Sequence, residues 1–188
     1  IGQFVIDYYF IFFRVYCSEM RNFSKIIIGG AQIGMKYGIS NKTGEILEGA
    51  LISILKYCYK NKIYIIDTAT GYKKSVSKLQ KIIKKIKLQD YFKLIIKISN
   101  NDLKNISTTI NKYQKKPYFY CIMAHTSSVF LNKKFQKLIY LNNLERDSLK
   151  IGVSIYDKEE LKLLKKYYKK IDIIQLPYNI LNSHSFSK

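Results

Sequence analysis

The feature that most constrains the fold is a regular alternation of apolar runs and longer amphipathic segments from Ile26 onward. The apolar runs are nearly continuous rather than alternating, which is typical of strands covered on both faces in a parallel sheet. They predict six strands, over residues 26–32, 63–69, 91–99, 118–125, 149–156 and 171–179. The segments between them predict helices over residues 45–60, 75–88, 101–114, 133–145 and 158–169. This order of elements indicates an α/β fold.

Two α/β architectures fit the pattern. The predicted strands start about 29 residues apart on average, close to the roughly 30 residues per unit of a (β/α)8 barrel of about 250 residues. The chain has 188 residues, so such a barrel would end after about six units. A doubly wound sheet of five or six strands would be complete at this length. Length alone therefore favours the doubly wound sheet.

Composition excludes several classes of protein. Hydrophobic residues make up 47% of the chain, which is too many for an intrinsically disordered protein and ordinary for one globular domain. The three cysteines, Cys17, Cys58 and Cys121, form no CxxC motif, and there are two histidines. These residues are too few for a Cys/His metal cluster and do not form the paired framework of a disulfide scaffold. We expect no metal and a reducing, cytoplasmic setting.

The chain is strongly basic, with 33 Lys and Arg against 13 Asp and Glu and a net charge of +20. Only Arg14, Arg21 and Arg146 are arginines, although arginine is the residue that nucleic-acid readers use for bidentate contacts. Lysine occurs beside many Ile, Asn and Tyr residues, which share A- and T-rich codons. We therefore expect weak binding to polyanions but no specific nucleic-acid partner. A basic α/β protein that binds nucleic acid stays an alternative.

The N-terminal stretch differs from the rest of the chain. Residues 1–16 are rich in aromatics, and Asp7 interrupts their apolar run. The run is too short to span a bilayer and lacks the basic start and cleavage site of a signal peptide. Met20 precedes the first predicted strand, so we interpret residues 1–19 as an upstream extension and residues 20–188 as the domain. We expect no membrane partner, although a short membrane-associating anchor is an alternative.

In α/β folds the catalytic and binding residues lie at the C-terminal ends of the strands and in the loops that follow them. Asp67 ends the second predicted strand and Tyr72 follows it, while Lys97 and His125 end the third and fourth strands. A buried charge is costly unless it is paired, so Asp67 and Lys97 are predicted to form an ion pair. Simpler interpretations exist for single residues, because Asp67 could cap a helix and His125 could be a core residue. The four side chains together predict a site at one end of the sheet.

Several motifs carry a resemblance to a known family. The segments are GGAQIGMKYGISNKTGE (29–45), IIDTATGY (65–72), IMAH (122–125), KIGVSIYDKEEL (150–161) and DIIQLPYNILN (172–182). In this order and spacing the chain resembles the aldo-keto reductases, specifically a bacterial group of them. The resemblance implies a (β/α)8 barrel, here truncated after about six units, that reduces aldehydes or ketones with NADPH.

The resemblance also implies roles for individual residues. Tyr72 would be the proton donor, Lys97 would lower the pKa of Tyr72, Asp67 would keep Lys97 charged, and His125 would orient the substrate oxygen. The implied cofactor-binding residues are Gly29, Gly30, Asp67, Ser154 and Gln175, of which Ser154 and Gln175 match the positions that hold the nicotinamide carboxamide. A strand-end hydroxyl and an ordinary buried glutamine are the simpler interpretations of those last two residues.

The chain also departs from the family pattern. Lys73 and Val76 stand in KKSVSKLQ (73–80), where the family usually has a glycine and an acid. The seventh and eighth strands, whose loops hold the cofactor phosphates in the family, are expected to be missing. A non-catalytic remnant of the same fold is therefore an alternative to a carbonyl reductase. The sequence does not specify the substrate or the oligomeric state.

Overall fold

The computed structural model describes residues 26–39, 41–106, 108, 119–142 and 149–177. The extension predicted over residues 1–19 lies outside these described residues. So do the last two residues of the predicted strand 171–179 and the C-terminal parts of the helices predicted over 101–114 and 133–145.

Six strands form one parallel sheet in strict chain order. They coincide with the six predicted apolar runs but are shorter: β1 (Ile28–Gly29), β2 (Ile65–Ala69), β3 (Lys93–Ile98), β4 (Phe119–Ala124), β5 (Lys150–Ser154) and β6 (Ile173–Gln175). A doubly wound sheet reverses its strand order near the middle, and this sheet does not. The architecture that length alone favours is therefore wrong, and the sheet with its helices forms a curled half-barrel.

The helices lie between consecutive strands. They are α1 (Ala31–Gly34), α2 (Glu48–Lys60), α3 (Ser75–Lys85), α4 (Ser127–Leu131), α5 (Lys133–Asn142) and α6 (Lys158–Leu164), with 3₁₀ helices at Asn100–Asn105 and Lys165–Lys170. The helix predicted over 158–169 is thus α6 followed by a 3₁₀ turn. Within the described part of the predicted helix 101–114, the backbone is chiefly 3₁₀.

The first predicted strand, 26–32, is wrong at its C-terminal end. The backbone N–H of Gly30 donates to the Asp67 carbonyl at 2.7 Å, and the chain turns into α1 from Ala31. The apolar side chains of Ala31 and Ile33 are buried by that short helix rather than by a strand. An apolar run of this length is compatible with a strand or with a buried helix, so the sequence pattern does not distinguish the two.

The two faces of the sheet carry different sets of side chains. Successive residues of a strand point to opposite faces. The outward face packs with the helices into the main core, which includes Ile66, Ile96, Ile122 and Val153. The inward face holds a smaller cluster that consists of Ile65, Ile95, Cys121, Met123 and Ile173. Two residues further along their strands, Asp67, Lys97 and Gln175 are buried polar residues. The inward face is thus apolar at the level of Ile65, Ile95 and Ile173, and chiefly polar towards the carboxyl ends of the strands, where Met123 pairs with Lys97.

Within the described residues, no helix is long and apolar enough to cross a membrane.

Candidate active site

Three side chains from three strands form a buried polar network. The Lys97 ammonium donates to Asp67 Oδ2 at 2.8 Å and to Gln175 Oε1 at 3.2 Å. The Gln175 amide in turn donates to Asp67 Oδ2 at 3.1 Å. All three residues are at most 6% exposed. The Asp67–Lys97 ion pair predicted from the sequence is therefore present, and Gln175 belongs to the same network.

The contact between Gln175 and Asp67 depends on the curl of the sheet. Gln175 lies on β6 and Asp67 on β2, which are four strand spacings apart in the strand order. In a flat sheet that separation would be roughly 19 Å, at about 4.8 Å per strand. The observed 3.1 Å contact requires the inward face to close around its own interior, as it does in a barrel.

The Asp67 carboxylate keeps Lys97 charged. Burial lowers the pKa of the Lys97 ammonium, but the charge of Asp67, the nearby Tyr72 and the hydrogen bond that Lys97 donates to Asp67 together raise it more. The pKa of Lys97 therefore lies above its ordinary value of 10.5. Asp67 Oδ1 is buried and has no hydrogen-bond partner among the described residues, so this carboxylate retains a free acceptor beside the network.

Tyr72 lies in the loop between β2 and α3, next to the network. The Lys97 ammonium is 6.0 Å from the centroid of the Tyr72 ring. Burial raises the pKa of the Tyr72 phenol, Lys97 lowers it, and Asp67, Tyr37 and Tyr156 raise it again. The net pKa lies above 10.0. Lys97 acts in the predicted direction, but the expectation that it brings the Tyr72 pKa down is not met, because burial and the charge of Asp67 outweigh the ammonium.

His125 follows β4 and also lies next to Tyr72. Its ring meets the Tyr72 ring edge-on, with the centroids 6.3 Å apart and an interplanar angle of 88°. Burial and the Lys97 charge lower the pKa of His125 below 6.5, against smaller opposing effects of Asp67 and Asp102. The imidazole is therefore neutral at neutral pH and can donate one hydrogen bond. The structure thus brings Asp67, Tyr72, Lys97 and His125 to one end of the half-barrel.

The backbone around Tyr72 is held from two sides. The buried Ser75 hydroxyl donates to the Gly30 carbonyl at 2.7 Å and lies 2.8 Å from the Thr68 hydroxyl. A side chain at Gly34 would overlap the Ser75 amide and the Tyr72 carbonyl. On the other side of Tyr72, Lys73 has a φ of 45°, a left-handed conformation that costs a residue with a Cβ about 1–2 kcal/mol. Lys73 therefore holds a strained backbone conformation in the Tyr72 loop, at a position where the sequence resemblance predicts a glycine.

The residues expected to bind a cofactor fall into two groups. Ser154 and Gln175 are paired across β5 and β6 and are both buried. Gly29 has open space where a Cβ would be, whereas a Cβ on Gly30 would lie 2.9 Å from the Asp67 carbonyl oxygen. The close approach that requires a glycine at position 30 is thus made by β2 of the same chain.

A cavity opens beside His125. Its volume is about 310 Å³, and its walls include Ser99, Asn100, His125, Thr126 and Tyr156. These residues come from the ends of β3, β4 and β5, so the cavity lies at the same end of the sheet as the polar network. A space of this size holds a small organic molecule.

Sequence reasoning did not identify Thr70 and Asp102. The Thr70 hydroxyl donates to Asp102 Oδ2 at 2.6 Å, which links the loop that carries Tyr72 to the turn after β3. The spacing of Ser99 and Asp102 is that of a capping box, and this signal was available in the sequence. The contact to Thr70 was not, since it depends on how two loops pack.

The described residues contain no group of three or more His, Cys, Asp or Glu side chains that could hold a metal ion.

Of three comparisons with known proteins, one found a similar protein. No family model matches the chain, and no curated protein matches it. Among solved structures, the chain is similar to one from Pseudomonas aeruginosa that is named "the putative aldo-keto reductase". The TM-score is 0.58 at 10% sequence identity, over 79% of this chain and 70% of the other. At this identity the likeness shows the α/β half-barrel fold and nothing finer.

Proposed function

We propose that the chain is a carbonyl reductase of the aldo-keto reductase type, which uses NADPH to reduce small aldehydes or ketones. The observation that carries the proposal is the buried Asp67–Lys97 pair, 2.8 Å long, directly beside the half-buried Tyr72. A phenol next to a permanently charged ammonium, with a neutral imidazole beyond it, is a donor set suited to a carbonyl oxygen that gains negative charge.

In this proposal Tyr72 gives its proton to the substrate oxygen as the carbonyl carbon is reduced. Lys97 stabilises the phenolate left on Tyr72, and Asp67 keeps Lys97 charged and in place. His125 donates a hydrogen bond to the same oxygen and orients it. The nicotinamide, when bound, supplies the hydride that completes the reduction of the carbonyl to an alcohol.

The inward-facing residues at the carboxyl ends of β5 and β6 fit a nicotinamide carboxamide. Gln175 uses one amide hydrogen for Asp67 and accepts one hydrogen bond from Lys97. A glutamine amide can make four hydrogen bonds in all, so Gln175 retains capacity for a further amide. Ser154, its partner across the strands, contributes a hydroxyl at the same level. We assign Ser154 and Gln175 to the carboxamide, and leave Gly29, Gly30 and Asp67 as candidates for other contacts with the cofactor.

The test uses the purified 188-residue chain. NADPH is titrated first, with binding measured by nicotinamide fluorescence and by the shift in melting temperature. Oxidation of NADPH is then measured with a panel of small aldehydes. We expect saturable binding and turnover, and we expect Tyr72→Phe to lower kcat by about a hundredfold or more, the usual contribution of a general acid.

Tyr140→Phe is the matched control, because it makes the same substitution at a ring that is 65% exposed on α5. We expect that variant to keep the wild-type rate. A Tyr72→Phe protein with most of its activity would exclude Tyr72 as the proton donor. Absence of both NADPH binding and turnover in a folded wild-type chain would favour the non-catalytic alternative.

A further inference from the structure

We infer that Asp102 is a positioning residue, which fixes the loop that carries Tyr72 against the end of the strand that carries Lys97. The inference rests on the proposed function, because the contact affects catalysis only if Tyr72 is the proton donor. It concerns a residue that lies in neither the Asp67–Lys97–Gln175 network nor the cavity wall beside His125.

A single carboxylate oxygen of Asp102 accepts hydrogen bonds from both Ser99 and Thr70. Asp102 Oδ2 accepts from the Ser99 backbone N–H at 2.8 Å and from the Ser99 hydroxyl at 2.6 Å. It also accepts from the Thr70 hydroxyl at 2.6 Å. The two bonds from Ser99 are local and begin the 3₁₀ turn. The bond from Thr70 crosses to a different loop, and a local capping role does not account for it.

The same threonine is joined to β3 by its backbone. The Thr70 N–H donates to the Lys97 carbonyl at 3.0 Å, and the Thr70 hydroxyl also approaches that carbonyl at 3.2 Å. Tyr72 is two residues further along, and its N–H donates to the Ala69 carbonyl at 3.1 Å. Asp102 therefore anchors, at Thr70, the N-terminal side of the short segment that holds the Tyr72 ring beside the Lys97 ammonium.

Charge adds a second effect on the same site. Asp102 favours the protonated form of His125, as does Asp67, whereas burial and Lys97 oppose it. Two phenols also face the imidazole, because the Tyr72 ring lies edge-on to His125 and Tyr156 shares the cavity wall with it. Removal of the Asp102 charge therefore acts on the imidazole, whereas removal of the Thr70 hydroxyl alone leaves that charge in place.

The experiment compares Asp102→Ala, Asp102→Asn, Thr70→Val and the double variant Thr70→Val/Asp102→Ala. Asp90→Asn is the control, because it removes one acid from an exposed position in the turn before β3. We expect Thr70→Val and Asp102→Ala each to lower kcat by about tenfold or more, since a small displacement of a reacting group has effects of this size. NADPH affinity should be unchanged in each variant. The double variant should be no slower than Asp102→Ala, because both substitutions break the same contact.

A second measurement does not depend on turnover. The chain has only two histidines, so the imidazole resonances of His125 are readily assigned with a His125→Gln variant. Because the Tyr72 ring lies edge-on to His125, movement of that ring changes the His125 chemical shift. We expect both Thr70→Val and Asp102→Asn to change the His125 chemical shift. Asp102→Asn should also lower the His125 pKa, because it removes a negative charge. Asp90→Asn should change neither the shift nor the pKa.

The two measurements separate failure of this inference from failure of the proposed function. Full activity in Thr70→Val and Asp102→Ala, or additive losses in the double variant, would overturn the positioning role. An unchanged His125 shift in both variants would overturn it even for a chain without turnover. A changed shift in a folded chain that reduces no aldehyde would support the positioning role and count against the carbonyl reductase.

Discussion

Asp67 and Lys97 illustrate how much a single buried pair constrains this site. Each is at most 6% exposed, so each charge is tolerated only because the other is present. Removal of one partner leaves a desolvated charge, which costs about 3–5 kcal/mol in buried pairs. Replacement of both partners removes the charges together and costs less than the two single losses combined.

We therefore predict that Lys97→Met and Asp67→Asn each lower the free energy of unfolding by about 3 kcal/mol, and that the double variant loses less than their sum. Urea unfolding of the four proteins measures the coupling. The exposed pair Lys162–Glu159 has a similar distance, 2.7 Å, and serves as control. Lys162→Met should change stability little, because solvent screens such pairs. Additive losses at Asp67 and Lys97 would show that the buried pair is not coupled.

His125 gives the site a dependence on acid pH. Its pKa in the folded chain lies below the ordinary 6.5, first because of burial and then because of Lys97. The folded state therefore binds fewer protons than the unfolded state as pH falls below 6.5, and the stability present above that pH is lost on acidification.

We predict that the melting temperature of the wild type falls more steeply below about pH 6.5 than that of His125→Gln, which lacks the titrating imidazole. Melting curves between about pH 8 and about pH 5 measure this difference. Above the ordinary histidine pKa the two curves should run in parallel. Parallel curves over the whole range would mean that the folded chain does not depress the His125 pKa.

At the scale of elements, the strands were predictable because both of their faces are buried. Ile65, Ile66 and Ile95 are apolar for that reason, and their runs identify the strand cores without further information. The ends of the strands were not predictable, since contacts with other segments determine them. The hydrogen bond from Gly30 to the Asp67 carbonyl turns the chain into α1, although the apolar run itself continues.

The site, like the strands, could be predicted from the sequence only in part. Asp67 and Lys97 stand out because charges are rare inside apolar runs. The place of Gln175 in their network depends on the curl that brings β6 opposite β2, and the contact of Thr70 with Asp102 depends on the packing of two loops. Neither contact has a periodic signal in the sequence. The net direction of the Tyr72 pKa likewise depends on burial, which the order of residues does not give.

The contact between α1 and the loop before α3 has a clear mutational test. A Cβ on Gly34 would overlap the backbone of Tyr72 and Ser75 and would lie 2.8 Å from the Ser75 Cα. Since backbone cannot move aside as a flexible side chain can, we predict that Gly34→Ala lowers the free energy of unfolding by about 2 kcal/mol or more. Gly49 in α2 is the control, because its Cβ would meet nothing within 4 Å.

Gly49→Ala should instead stabilise the chain by up to about 1 kcal/mol through helix propensity. Chemical denaturation of both variants measures the contrast. Gly34→Ala should also disturb the position of Tyr72, which an altered His125 resonance would report. Equal stability of the two variants would mean that the segment around α1 does not pack against the Tyr72 loop as described.

At the scale of the whole molecule, charge and fold are set by different parts of the sequence. The chain carries a net charge of +20. Among the described residues the lysines other than the buried Lys97 lie mostly at exposed positions of helices and loops, whereas the core is mainly Ile, Leu, Val and Phe. Helix α3 shows the separation within one element: Leu79, Ile82 and Ile83 are buried, and the same helix carries Lys78, Lys81, Lys84 and Lys85 without an acid. Acids on other segments approach three of these lysines, Glu45 at Lys78 and Glu48 at Lys81 and Lys85. The basic residues still outnumber the acidic ones by 33 to 13, so the folded state is under net electrostatic repulsion.

Salt should relieve that repulsion. We predict that the melting temperature rises as sodium chloride increases from about 0.01 M to about 0.15 M, over which the Debye length falls from about 30 Å to about 8 Å. Lys84→Gln removes one of the like charges on α3, so it should raise the melting temperature at low salt and reduce the gain produced by salt. A neutral osmolyte is the control, because it stabilises folded proteins without screening charge. A melting temperature that does not change with salt would mean that the excess positive charges lie too far apart to limit stability. It would also mean that acids such as Glu48, 2.7 Å from Lys85, relieve the repulsion where lysines are dense.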